Sequence, residues 1–364
     1  RDARTSVTLG LLALGGLVLL GLPASAQDPE PSSPPAEPPR IDVTGFVDVY
    51  YQYAFNRVDP ALRSFDVQHN AFSLSVADVA LSKGVAADSR VGFRAELAFG
   101  KTADLIAAYE PEDSPEIGKH VLQAYASVLA GSKLQIDAGK FLTALGAEVV
   151  PSQDNWNYSR SVLFGYAIPF YHLGIRATLP VNDKLTLAGY VVNGWNNSSE
   201  IHGDLPCVGL TATVKPSGKL TWIANYMGGQ ETAAGDTRHI FDTTLTVTAT
   251  PKLSLQGNFD YGKEGPSSWW GIATYAKVQV RPSWALVGRY EYLDDTDGGF
   301  MTIGQTARTV TLTSDHLVAG GLKLRLEYRG DFTDEAFFAD DGGGEKDSQH
   351  AVLVGVVYTF GGKI

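Results

Sequence analysis

The sequence predicts an all-β chain that closes as a transmembrane antiparallel β-barrel of about 16 strands, with periplasmic termini and long extracellular loops. Three observations carry this prediction. The chain opens with an export signal, its strand-like segments have one apolar and one polar face, and its connections alternate between tight turns and long loops.

The start comes first. Arg1 and Arg4 precede the apolar run from Leu9 to Leu22, which ends at Ala24-Ser25-Ala26. A basic start, a short apolar stretch and a small-residue site are the parts of a cleavable secretory signal over residues 1–26. Residues 27–40, "QDPEPSSPPAEPPR", form a proline-rich spacer that holds neither helix nor sheet. Residues 41–364 are then the barrel. The chain carries a formal charge of -11, and loss of Arg1, Asp2 and Arg4 makes it -12. An acidic exported chain argues against nucleic acid as a partner. Cys207 is the only cysteine, so a disulfide framework within the chain is excluded. Its flanks "LPCVGLTATV" read as strand, which makes it a buried, inert thiol. Beyond the signal, no apolar run approaches the roughly 20 residues that a membrane helix needs.

The strand faces come next. In "LKLRLEYRGDF", Leu322, Leu324, Leu326 and Tyr328 take one parity, and Lys323, Arg325, Glu327 and Arg329 the other. Successive side chains of a strand point to opposite faces, so this is a two-faced strand. The same alternation sets Val91, Phe93, Leu97 and Phe99 against Arg90, Arg94 and Glu96. It sets Leu253, Leu255, Phe259 and Tyr261 against Ser254, Gln256, Asn258 and Asp260, and Trp284, Leu286, Tyr290 and Tyr292 against Arg289 and Glu291. In a membrane barrel the apolar parity meets lipid and the polar parity lines the lumen. Aromatic residues at strand ends (Tyr50, Tyr51, Tyr53, Tyr226, Trp269, Trp270, Tyr358 and Phe360) are expected at the membrane interfaces.

The connections supply the third observation. Tight turns at 131–132, 180–183, 215–218, 250–251 and 281–282 alternate with long connections at 55–68, 100–118, 142–168, 195–204, 229–237, 294–307 and 332–347. A meander with one short-turned edge and one long-looped edge is barrel layout, whereas a soluble sandwich uses Greek-key crossings. The 100–118 connection holds a predicted short helix over 103–110, either a plug element or a surface excursion. "LDDTDGG" from Leu293 and "ADDGGGEKD" from Ala339 are acidic, glycine-rich tips. Their spacing matches no defined calcium loop, so solvated tips are expected and no metal or cofactor is assigned.

Near the end, "LVGVVYTF" sets Gly355, Tyr358 and Phe360 in a Gly-x-x-aromatic-x-aromatic order. This resembles the C-terminal signal read by the barrel assembly machinery. In the middle, Gly139-Lys140-Phe141, Gly146, Glu148, Asn155, Tyr158, Ser159 and Arg160 lead into Pro169, Gly174, Arg176 and Asn193-Gly194-Trp195. With Glu327, Tyr328, Arg329 and Asp331 near the end, the pattern resembles the OmpL-like family of outer-membrane β-barrel porins. The resemblance spans essentially the whole chain after the spacer. It implies a porin fold and an outer-membrane address; passive diffusion of small hydrophilic solutes through a water-filled pore is the mechanism expected of such a barrel.

The longest connection, 142–168, is the third outside loop, which in porins of this layout folds into the lumen. Glu148, Asp154, Tyr158 and Arg160 are then the expected constriction residues. Arg90, Arg94, Glu96, Arg176, Arg289, Glu291, Lys323, Arg325, Glu327 and Arg329 are the expected pore lining. Trp156, Tyr158 and Phe164 are expected to pack the loop on the wall, because so many aromatic residues between Phe141 and Tyr171 are costly to leave in water. The expected partners are outer-membrane lipid, the assembly machinery, the solutes and, by analogy, two further copies in a homotrimer. A closed structural or adhesive barrel is the alternative. An enzyme is not expected: Ser159 and His172 lie in one region, but nothing like a nucleophile elbow surrounds Ser159, and no pair of histidines has metal-ligand spacing.

Overall fold

The computed structural model describes residues 41–108, 116–201, 203–231, 235–301 and 303–364. The expected export signal, the spacer and the far end of the predicted 103–110 helix lie outside these residues. The described chain is a meander of sixteen antiparallel strands closed into one barrel. In order they are β1 (Asp42–Ala54), β2 (Ala71–Lys83), β3 (Val91–Phe99), β4 (Val121–Ala130), β5 (Leu134–Leu142) and β6 (Tyr171–Asn182). There follow β7 (Leu185–Val192), β8 (Cys207–Ser217), β9 (Leu220–Gln230), β10 (Thr237–Thr250) and β11 (Leu253–Glu264). The last are β12 (Ser267–Arg281), β13 (Trp284–Asp294), β14 (Thr306–Ala319), β15 (Leu322–Thr333) and β16 (Ser348–Lys363). Each strand pairs with its successor, and β16 returns to β1 in a register running from Asp42↔Lys363 to Ala54↔Ala351. Closure leaves no strand edge unpaired, which a bilayer requires.

Parity decides the faces as the sequence predicts. On β15, Arg325 and Arg329 are 0% and 2% exposed, whereas Leu326 and Tyr328 are 46% and 36% exposed. The outer face is a continuous apolar band, and among the described residues no helix is long and apolar enough to cross a membrane.

The connections segregate to two ends. The described chain starts and finishes at the same end, which also carries the tight turns. Three details differ from expectation. Strands β6 and β8 carry Pro180 and Pro216 inside their last residues, so their turns are tighter than the proline positions imply. A proline is tolerated at a strand end, where its missing N–H costs no ladder bond. At the loop end, β11 and β12 are joined by only Gly265 and Pro266, with Gly265 in the left-handed region at φ 53° that the turn demands. Finally, Tyr50 and Trp269 are not interfacial. They share the inward parity and are buried inside the barrel, Trp269 stacked on Phe300 at 3.8 Å.

That last observation marks where the apolar core sits. It fills the loop-end half of the lumen, built from Leu62 and Phe65 of the first long connection, Leu145, Phe164 and Phe170 of the third, and inward wall residues such as Tyr50 and Trp269. Helix α1 (Lys101–Ala107) turns its buried face inward too, with Thr102 Oγ1 3.1 Å from the inward Ser75 Oγ of β2. The expected helix is therefore an inserted element.

The face assignment is checked by paired cysteines on β6, where the lumen is open. Thr178→Cys is expected to react with a membrane-impermeant thiol reagent, and Leu179→Cys to resist it. Cys207 is buried and gives little background. Labelling at 179 but not at 178 would reverse the barrel's inside and outside.

Candidate pore and the segment inside it

Residues 143–170, between β5 and β6, lie inside the barrel and sweep across the inner wall. A chain segment there needs a partner for each backbone polar group, because little water reaches it. The wall supplies those partners in order along the segment. Asn225 Nδ2 of β9 donates to Ala144 O at 3.1 Å, and Ala147 N–H donates to Asn258 Oδ1 of β11 at 3.3 Å. Glu148 then pairs with Arg289 of β13 at 2.8 Å.

The main clamp is β15. Arg325 donates to Ser152 O and Asn155 O, each at 2.7 Å. Glu327 accepts from the N–H groups of Tyr158 and Ser159 at 2.7 and 2.9 Å, and from Thr313 Oγ1 at 2.6 Å. Arg329 donates to Arg160 O at 2.7 Å. Arg289 reinforces this by donating to Ser159 O at 2.6 Å, and Glu291 accepts from Val162 N–H at 2.6 Å. Guanidinium groups thus meet carbonyls and carboxylates meet amides, the charge-assisted form of hydrogen bond. At the centre, the Tyr158 hydroxyl donates to Asp48 Oδ1 of β1 at 2.7 Å. Burial, and then the Asp48 charge, push this phenol well above its ordinary range, so it remains a donor.

A second inserted segment braces the first. Arg63, in the β1–β2 connection, pairs with Asp331 of β15 at 2.8 Å, and Gln349 Nε2 of β16 donates to Ala61 O at 2.6 Å. Phe65 packs edge-on against Phe170 at 5.7 Å, and the Arg160 guanidinium lies over the Phe65 ring at 4.6 Å.

Away from the clamp, on β4 to β8, the inward face is polar and partly exposed at Gln135, Arg176, Thr178, Thr211 and Thr213. Near the short-turn end, a cleft of about 380 Å³ separates the tip of the segment from β1 to β3. Its polar lining includes Thr44, Asp78, Arg94, Glu96, Asp154 and Lys323.

A barrel of this strand number, closed in this order and holding a connection inside, invites comparison with known proteins. The family model described as "Putative beta-barrel porin-2, OmpL-like" matches residues 40–360. The chain belongs to that family. As an OmpL-like porin it is a multi-pass β-barrel of the bacterial outer membrane. Solved structures agree in fold. The channel DcaP of Acinetobacter baumannii is 11% identical, with 89% of this chain and 99% of that chain covered at a TM-score of 0.60. The anion-selective porin of Comamonas acidovorans is 13% identical, covering 88% and 99% at 0.60. The trimer form of OmpT from Vibrio cholerae is 12% identical, covering 88% and 99% at 0.59. Among curated proteins, none matches significantly.

In this OmpL-like porin the expected site residues separate into groups. Arg289, Glu291, Arg325, Glu327 and Arg329 face inward but are buried beneath the inserted segment, so they hold the segment and do not meet solvent. Glu148 and Arg160 fold the segment itself. Glu148 accepts from Ser161 N–H at 2.5 Å, while Arg160 donates to the carbonyls of Tyr158 and Val150. Asp154 alone of the expected constriction set is exposed. Arg94, bound to Glu96 at 2.7 Å, Arg176, bound to Asp137 at 2.8 Å, and Lys323 retain exposed surface on the lumen side. Arg90 departs from expectation: it sits at the short-turn rim, where it donates to Leu129 O at 2.6 Å and Gly131 O at 3.0 Å. Its strand begins one residue later, so parity has no hold on it.

Trp156 and Tyr158 do pack on the wall, against Tyr275 at 6.4 Å and Tyr50 at 5.9 Å, whereas Phe164 packs on Phe65 and Phe170 of the inserted segments. His172 and Ser159 are not brought together. His172 bonds Gly194 O and Thr143 Oγ1, and Ser159 bonds Glu327 and Arg289. Cys207 is buried against Glu231 Oε1 at 3.0 Å. In the acidic tips, Asp295 accepts from Ile303 N–H at 2.9 Å and Asp340 pairs with Lys346 at 3.0 Å, so these carboxylates organise their own loops. Arg63 and Asp66, a buried ion pair at 3.5 Å, escaped the sequence reading. Their only signal was the apolar pair Leu62 and Phe65 in a connection otherwise read as exposed.

Removing the central clamp tests the arrangement. Glu327→Ala leaves two buried N–H groups and a threonine hydroxyl unanswered, a loss on the order of 3 kcal/mol confined to the segment. Limited proteolysis is expected to cut the variant within 149–162 while the heat-modifiable electrophoretic mobility of the folded barrel persists. Equal protease resistance in wild type and variant would show that the segment is held by something else.

Proposed function

We propose that this protein is a porin through which small hydrophilic solutes diffuse passively, along a water-filled lumen narrowed by the 143–170 segment. The observation that carries the reading is the division of the inner wall. One arc, β13 to β1, is committed to gripping the segment, and the facing arc, β4 to β8, keeps a polar, partly exposed surface. A barrel of about 16 strands is wide enough to leave an aqueous channel beside such a segment. Family and fold are those of channels, and the proposed mechanism uses no cofactor and no covalent chemistry.

The topology follows from the same reading. Residues 1–26 direct export, 27–40 link the signal to the barrel, and the termini and short turns face the periplasm. The loop end then faces outside, and 143–170 is the third external loop folded inward. Gly355, Tyr358 and Phe360 serve the assembly machinery, and the trimer form of the similar OmpT supports a homotrimer. Within the lumen, Asp154 on the segment and Arg94 and Lys323 on the wall set opposed charge across the cleft. Such a gap orients water and discriminates among solutes by charge and dipole. The apolar core in the loop-end half favours a second reading, a barrel closed by its own loops.

Planar-bilayer recording separates the two readings. Folded wild-type protein is expected to give stable ohmic steps, and deletion of 149–160 to enlarge them several-fold by clearing the lumen. Silence from folded wild type, with steps appearing only in the deletion, would establish the closed barrel instead.

A further inference from the structure

Charge on this barrel is sorted by end. At the loop end, exposed acidic residues such as Asp59, Asp204, Asp297, Glu335, Asp341 and Glu345 dominate. The short-turn end reverses the sign. Four consecutive turns, from β4–β5 round to β10–β11, present Lys133, Lys184, Lys219 and Lys252, with Lys215 near the end of β8 and Arg281 at the end of β12 beside them. All six are exposed, no carboxylate among the described residues pairs with any of them, and the only acidic residue in those turns is Asp183.

Their height is fixed by neighbouring aromatic residues. Trp222 stands outward on β9, 46% exposed, three residues from Lys219, and Tyr358 and Phe360 stand outward on β16 at 47% and 42%. Outward rings at this position mark the level where hydrocarbon gives way to headgroups. Three strand residues span about 10 Å before tilt, so the lysines reach just beyond the rings into the headgroup layer. Lysine stems extend along apolar surface while the ammonium seeks water or anions, which suits this depth.

We infer that the short-turn rim is a binding surface for anionic phospholipid headgroups of the adjoining leaflet. Distribution round the perimeter decides between lipid and a protein partner. An acidic protein would meet a patch on one side of the rim, whereas a leaflet meets successive turns around the wall, and it is successive turns that carry the charge. Each basic side chain near an anionic surface favours binding by on the order of five-fold at low salt. The effect fades within a Debye length of about 8 Å at physiological ionic strength. The rim charges therefore act on lipids in direct contact and not on distant ones.

The test uses the full chain reconstituted in mixed phosphatidylcholine and phosphatidylglycerol bilayers, recovered in mild detergent, with the retained lipid quantified. Wild type is expected to retain phosphatidylglycerol several-fold above its bulk fraction, and to lose that enrichment at 1 M salt. The triple variant Lys184→Gln, Lys219→Gln, Lys252→Gln is expected to fall to the bulk fraction. Those side chains are exposed in turns and bear no load in the barrel, and heat-modifiable mobility verifies that the variant is folded. Retention at the bulk fraction by wild type, or enrichment unchanged in the folded variant, would overturn the proposal. A parallel arm offers soluble polyglutamate to protein in phosphatidylcholine alone. Tight binding there, without phosphatidylglycerol enrichment, would assign the rim to an acidic macromolecule and equally overturn it.

Discussion

A segment of backbone held inside a barrel brings an N–H and a C=O with nearly every residue, and each must find a partner where water is scarce. Strand β15 meets this requirement with three alternate side chains. Arg325 takes carbonyls, Glu327 takes amides and Arg329 takes a carbonyl again. Alternate residues of a strand share one face at intervals of about 6.6 Å. The wall therefore presents donor, acceptor and donor along a line, and the segment follows it. Charged hydrogen bonds of this kind contribute about 1.5 to 3 kcal/mol each, and an unanswered buried partner costs as much again. The path of 143–170 is in this sense imposed by the wall.

Other features follow from that grip. Arg289 sits between Glu148 and Glu291, so the carboxylate that the segment brings inward arrives beside a cation already placed. Leaving any one of these charges unpaired in a dry interior is strongly unfavourable, which ties segment and wall together. Once held, the segment offers its own apolar side chains to the lumen, and the first long connection packs on them through Phe65. The loop-end half acquires a core of the kind a soluble domain has, enclosed by a wall whose outer face is apolar as well. The short-turn half and the β4–β8 arc keep the polar surface.

Much of this was legible in the sequence. Strict alternation in "LKLRLEYRGDF" settled which residues of β15 face inward, and the rhythm of turns and loops settled strand number and order. The length of 142–168 and its aromatic content pointed to a segment that needs burial. Exposure was not legible. Parity says which way Arg325 points, but not that a distant segment lies over it, because that depends on contacts more than a hundred residues apart in sequence. The same limit explains Tyr50 and Trp269. Strand-end position recommends an aromatic residue for the interface, yet inward parity delivers it to the core. Arg90 shows the converse, since a residue one step outside its strand has no parity to obey.

The final strand shows how one short pattern serves both faces. Tyr358 and Phe360 lie outward at the short-turn end, the position expected of interfacial rings. Gly355, three residues before Tyr358, has the opposite parity, and its missing side chain has a geometric reason. A Cβ built there would come within 2.5 Å of the Tyr158 ring. Tyr158 is the residue whose backbone N–H meets Glu327 and whose hydroxyl meets Asp48, so its ring cannot swing away without releasing Asp48. A side chain at 355 would therefore push against the centre of the clamp. Packing alone is sufficient to require glycine at that position, whatever reads the neighbouring aromatic residues during assembly.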